Sequence, residues 1–129
     1  MATAVTVVER LYDRWRAGDL RALAGEVDPA VELLADPLVP SAVLHGRDGW
    51  EQWASRWEER FAELEIRSDA VIPMDDTHVL ALVSMRAQPA GGGAPLQWAA
   101  AHVWTVRDGR VARWQAHTDL DAARATLDA

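Results

Sequence analysis

Residues 96–119, LQWAAAHVWTVRDGRVARWQAHTD, constrain this chain more than any other stretch. Asp108-Gly109 lies between two β-rich runs, and an Asp-Gly pair there predicts a tight two-residue hairpin. Alternation then sorts the side chains. Leu96, Trp98, Ala100, His102, Trp104 and Val106 share one face of the first arm, opposite Gln97, Ala99, Ala101, Val103 and Thr105. On the second arm Ala112, Trp114, Ala116 and Thr118 oppose Val111, Arg113, Gln115, His117 and Asp119. The first face is aromatic and apolar with one histidine in its middle, so it must cover a packed core or a pocket.

Upstream, the order is helical. Val5, Val8, Leu11, Tyr12 and Trp15 make the apolar stripe of a helix over 3–17, which Gly18 stops. Asp19 is placed to cap a short helix over 20–24. A short strand over 31–35 ends at Asp36-Pro37, where the proline cannot donate to a ladder. A third helix over 47–64 lines up Trp50, Trp53, Ala54, Trp57, Phe61 and Leu64, and strands follow at 65–72, 77–87, 96–106 and 111–118. Gly91-Gly92-Gly93 reads as a hairpin loop, and 120–127 as a closing helix capped by Asp119. Helices followed by a meander give one α+β domain over 1–129.

Composition excludes several chemistries. Net charge is −7 with no basic stripe, which argues against nucleic acid and anionic membranes as partners. No apolar run approaches the roughly 20 residues of a spanning helix, and the N-terminus lacks the basic start of a signal peptide. With no cysteine there is no thiolate nucleophile or thiolate metal site, and a cytoplasmic location is expected. All thirteen basic residues are arginine, so no lysine can form a Schiff base. No phosphate-binding glycine motif and no convincing histidine pair is present, so no cofactor and no metal are expected.

The segments RWRAGDL (14–20), HGRDGWEQW (45–53) and HVWTVRDGRVARWQ (102–115) fall in the order that resembles the nuclear-transport-factor-2-like fold. This cone is shared by ketosteroid isomerases and SnoaL-like polyketide cyclases. The resemblance covers essentially the whole chain and implies a strongly curved antiparallel sheet wrapped around the N-terminal helices, enclosing an apolar pocket. It places Asp36 where the isomerases keep a proton-shuttling aspartate, and His102 where they keep an acid that donates to the developing enolate. It also turns Trp114, Ala116 and Thr118 toward the pocket. The isomerases' oxyanion tyrosine falls nearer Leu11 than Tyr12. Ala116 stands where the cyclases carry an acid, and the final-strand acid of limonene-type epoxide hydrolases is absent too.

These readings nominate Asp36 and His102 as catalytic residues, the first taking a proton beside a carbonyl and the second stabilising the oxyanion. Asp36 could equally bond backbone amides in its turn, and His102 a buried carbonyl or Asp36 itself. Tyr12, Trp15, Trp53, Trp57, Trp98, Trp104, Trp114, Ala116 and Thr118 are the expected lining for a hydrophobic polycyclic or polyketide-like ligand, the indole N–H groups serving as donors. His45 lies near the expected mouth, and the direction of Arg86 is open because 77–87 is apolar on both parities. A covered outer sheet face suggests a homodimer through Val103, Thr105, Val111 and His117. A non-catalytic binding protein, or an interaction domain with a filled cavity, would use the same fold.

Overall fold

The computed structural model describes residues 3–34 and 43–117. In order these form α1 (Ala4–Arg16), a 3-10 turn (Arg21–Gly25), β1 (Glu32–Leu33), β2 (Leu44–His45), α2 (Gly46–Arg60), β3 (Phe61–Pro73), β4 (His78–Pro89), β5 (Leu96–Arg107) and β6 (Arg110–His117). The strands make one curved, open sheet in the order β2-β1-β6-β5-β4-β3, antiparallel throughout except that β1 runs parallel to β6. This is the α+β cone that the sequence predicts. Among the described residues, no helix is long and apolar enough to cross a membrane.

Local chemistry sets the elements. Thr3 caps α1 by accepting the Thr6 N–H, and Val8, Leu11, Tyr12 and Trp15 form its buried stripe. The helix ends as expected at Gly18, whose φ of +82° lets the N–H groups of Gly18 and Asp19 bond back to Trp15 and Arg14. Asp19 does not cap the next element. A 3-10 turn at 21–25 replaces the expected helix, its N-cap Leu20 makes no side-chain cap, and Asp19 lies 3.7 Å from Arg14 instead.

Helix α2 stops at Arg60, four residues before the expected end, and Phe61 is already extended at φ −129° and ψ 128°. Phe61 is buried either way, as the last turn of a helix or the first residue of a strand, so the periodicity runs through the junction without marking it. Trp50 fastens α2 to the first helical layer, its indole N–H donating to the Leu20 carbonyl at 2.8 Å. Arg16 fastens α1 to β3 through Ile66 O at 2.9 Å and Ser68 Oγ at 2.8 Å.

Asp108 (φ 53°) and Gly109 (φ 77°) make the expected tight turn between β5 and β6. The pairing slips once, because Thr105 faces Arg113 but Val106 faces Val111, leaving Ala112 as the extra residue of a bulge. That slip corrects one expectation. Val111 had outward parity and was counted on the dimer face, but the bulge turns it into the main core at 2% exposure. On β4, Val79, Ala81, Val83, Met85 and Ala87 line the inner face, so Arg86 points outward and is exposed. A second, smaller apolar cluster of Leu80, Ala101 and Val103, with Leu82 against it, lies on the outer face.

Candidate functional site

His102 is brought inward by the alternation of β5, at a place where its cross-strand neighbours are Ala81 on β4 and Ala116 on β6. The space that these alanines leave is taken by rings. Tyr12 and Trp15 lie nearly parallel to the imidazole, at 6.1 and 6.3 Å between ring centres, and Trp114 approaches it at 5.3 Å. Beyond them Trp53 packs on Trp114 at 4.8 Å, and Trp57 touches Phe61, which touches Trp98. Tyr12, Trp53, Trp104, Trp114 and His102 are at most 1% exposed, Trp57 and Trp15 are buried, and Trp98 and Ala116 are half-buried. Asp36 and Thr118 lie outside the described residues.

A hydrogen-bonded triad organises the deep end. The Trp104 indole N–H donates to Tyr12 Oη at 2.8 Å, and Tyr12 Oη lies 2.7 Å from His102 Nδ1. The proton positions follow from counting donors. Indole can only donate, so the phenol oxygen accepts there and its single hydrogen is free for Nδ1. The opposite tautomer would leave the phenol hydrogen unpaired as well, among buried aromatic rings. Tyr12 therefore donates to Nδ1, and His102 carries its hydrogen on Nε2. That Nε2–H is buried and has no partner.

Burial holds His102 neutral. It pushes the imidazole from its ordinary 6.5 down to about 3, with the positive charge of His117 adding to the effect. The same burial raises the Tyr12 hydroxyl well above the usual phenol range, although the Trp104 hydrogen bond works against it. Neither group exchanges its proton easily near neutrality. What His102 offers is a neutral N–H donor, suited to an oxygen that is gaining charge. Its basic nitrogen is already occupied by Tyr12.

Stability should carry the imprint of this imidazole. As pH falls below 6.5 the unfolded chain takes up a proton there that the folded chain refuses until about 3. Stability tied to His102 is therefore fully present above 6.5 and lost toward 3, at about 1 kcal/mol per pH unit. Urea unfolding at several pH values should show a shallower loss over this window in His102→Leu than in the parent chain.

His102 is not the sole unpaired donor. Among the described residues, the buried side-chain polar atoms without a partner are Nε1 of Trp53, Trp57, Trp98 and Trp114, Nη1 of Arg56, and His102 Nε2. All six are N–H donors. Each unmet donor costs about 1–3 kcal/mol, which edge-on ring contacts such as Trp53 against Trp57 soften without removing. The sequence nominated the tryptophans and the histidine. It missed the proton order through Tyr12.

The remaining candidates fall elsewhere. A cavity of about 210 Å³ lies between the end of α1, α2 and the start of β3, with Trp15, Trp57 and Phe61 among its walls. Leu11 lines a separate groove of about 250 Å³ beside Val111, so it is Tyr12 that meets His102. His78 is bound to Asp75 in the β3–β4 turn at 2.9 Å, and His45 is exposed at the start of α2. Among the described residues, no group of three His, Cys, Asp or Glu side chains could hold a metal ion.

With this geometry in hand, the profile of the SnoaL-like domain matches residues 8–114. No curated protein matches the chain in sequence. Many solved structures share its fold, three of them as follows. An NTF2-like protein of unknown function from Burkholderia pseudomallei is 19% identical, with all of both chains covered and a TM-score of 0.79. TerC, crystallised with polyporic acid, is 16% identical over 99% of this chain and 100% of its own, with a TM-score of 0.76. A Catenulispora acidiphila protein with a ketosteroid isomerase-like fold, in complex with trimethylamine, is 15% identical over 92% and 89%, also at 0.76. At these identities the likeness is one of fold.

Proposed function

Because the chain belongs to the SnoaL-like domain family, we propose that its aromatic interior receives a hydrophobic polycyclic or polyketide-like molecule and catalyses a cofactor-independent proton transfer beside a carbonyl. The observation that carries this reading is the buried, unpartnered Nε2–H of His102, held as a donor by the Trp104–Tyr12 relay. Bound small molecules in two structural relatives, polyporic acid in one and trimethylamine in the other, support a small-molecule partner.

In this reading Asp36 takes the proton from the carbon next to the carbonyl. The electron pair of that C–H bond moves onto the carbonyl oxygen, where the Nε2–H of His102 donates to it. Return of the proton from Asp36 to another carbon completes an isomerisation; in cyclisation the carbanion attacks an electrophilic carbonyl carbon and the new oxyanion takes that proton, and in dehydration the proton leaves with the hydroxyl as water. Tyr12 acts behind His102 as a positioning residue, fixing its tautomer. Trp98, half-buried at the less enclosed end, would meet the ligand first. A homodimer through the outer face is part of the same proposal; of the residues expected there Val103, Thr105 and Val111 are buried within the chain itself, which leaves the partly exposed His117, with Leu82 near it, to meet a partner.

The test is a fluorescence titration with steroids, aromatic polyketides and terpenoids, followed by mass spectrometry of the mixtures that bind. Asp36→Asn should retain saturable binding and lose product, whereas unchanged turnover would remove Asp36 from the mechanism. A second reading has its own support. Ala116 stands where the cyclases carry an acid, which suits a protein that holds a ligand without changing it, whereas the filling of the deep interior by Tyr12, Trp50, Trp53, Trp104 and Trp114 at no more than 1% exposure suits an interaction domain. The second reading requires affinity that survives Asp36→Asn and no product with the parent chain. Absence of binding by any panel member would favour a filled interior that serves partner recognition.

A further inference from the structure

Trp15 is the ring that three unmet donors of the interior have in common. Its centre lies 6.3 Å from that of His102, 5.3 Å from Trp53 and 5.4 Å from Trp57. Each of those three carries a buried N–H without a hydrogen-bond partner. An aromatic ring offers an N–H only its face, a weak acceptor. Aromatic walls and neutral donors, the fittings of a small-molecule chamber, are thus assembled around one of the chain's own side chains.

Trp15 also stands at a boundary. It is 6% exposed where Trp53, Trp104 and Trp114 are at most 1%, and it forms part of the wall of the 210 Å³ hollow between the end of α1, α2 and the start of β3. An apolar cavity of about 150 Å³ accepts a benzene ring, so this hollow has room for most of an indole. Small residues keep it open. A Cβ added to Gly18 would meet no atom within 4 Å, and Ala54 and Ala62 contribute only methyl groups. Trp15 lies in the last turn of α1, so its side chain turns without disturbing a strand.

We infer that Trp15 holds the place of the ligand. A flat bicyclic molecule bearing a carbonyl takes the position of the indole beside His102, and the indole moves into the hollow. The carbonyl oxygen supplies the acceptor that the N–H groups of His102, Trp53 and Trp57 lack. The inference rests on the reading that the interior receives a small molecule, and it narrows that molecule to an uncharged ketone close in area to the ring it displaces. It also reconciles a filled interior with a bound ligand, since Tyr12, Trp104 and Trp114 keep their places.

The probes are 1-indanone, which has the ring frame of indole and a carbonyl, and indane, the same frame without it. Both are titrated by calorimetry into the intact chain. Trp15→Ala should bind 1-indanone at least about tenfold more tightly than the parent chain, which must first move a buried ring. In that variant 1-indanone should exceed indane by about threefold to tenfold, the worth of one net hydrogen bond. Ala62→Trp fills the hollow from an exposed position. It should weaken 1-indanone binding to the parent chain by at least about fivefold and leave Trp15→Ala unaffected, because no ring then needs the space. If Trp15→Ala loses the circular dichroism of the parent, Trp15→Leu replaces it with the same expected directions. Equal 1-indanone affinity with and without the indole, no preference for ketone over hydrocarbon in the variant, or the same loss from Ala62→Trp in both backgrounds would overturn the inference. Should any of these occur while panel ligands bind the parent, the inference falls and the small-molecule reading stands. Failure of both probes and every panel ligand with folded parent and folded variant would remove both.

Discussion

Trp114→Ala should lower the free energy of unfolding by about 3–5 kcal/mol, the range for deleting a buried aromatic side chain. Trp114 is fully buried on a strand hydrogen-bonded on both sides, opposite Trp104 of β5 and beside Leu33 of β1. Its ring meets Trp53, His102 and Trp104 at 4.8, 5.3 and 6.3 Å. Those neighbours are fixed by two strands and a helix, so the space cannot close by moving one loop. One compensation lowers the expected loss within that range: the alanine also removes an indole N–H that had no partner. Trp114→Phe keeps most of the ring contact and sheds the same N–H, and should cost clearly less. Urea unfolding followed by far-ultraviolet circular dichroism checks both, read as a change in midpoint at constant slope. A loss below about 1 kcal/mol for the alanine would mean that the interior repacks freely, contrary to a rigid aromatic core.

Tyr12→Phe deletes one oxygen and should still cost about 2–4 kcal/mol, because two buried neighbours lose their partner together. The Trp104 N–H loses its acceptor and His102 Nδ1 loses its donor, while the ring contacts of the phenol with Trp15 and Trp104 remain. A second readout separates the relay from simple packing. With Tyr12 in place the imidazole is held with its hydrogen on Nε2. In the phenylalanine variant nothing fixes that choice, so nitrogen NMR of the ring should show a mixture of tautomers where the parent shows one. A parent chain already mixed, or a variant still locked, would refute the proton order assigned to this triad.

How far the sequence could be read depends on where a signal is local. The inward direction of Trp98, His102 and Trp104 was legible because the Asp108-Gly109 turn fixes the parity of β5 with a backbone requirement of its own. Val111, three residues past Asp108, was misplaced because a bulge at Ala112 shifts parity, and nothing in RVARW marks it. The end of α2 was illegible for a similar reason. Phe61 is buried whether the chain continues as helix or strand, and neither glycine nor proline stands at the junction. At the site, the aromatic lining could be named from alternation, but the meeting of Tyr12 with His102 spans 90 residues and depends on how α1 rolls against β5. Asp36 lies outside the described residues and remains part of the proposal.

The position of β3 bears on self-association. It is thirteen residues long and stands at the end of the sheet order, so among the described strands it has a partner on one side alone. A free edge of that length is a template for another chain's backbone and a route to fibrils. This one is spoiled along its course. Glu63, Glu65, Arg67 and Asp69 are exposed, the ladder breaks its register between Ser68 and Ala70, and Pro73 ends it. That run of charge keeps the edge from recruiting a neighbour.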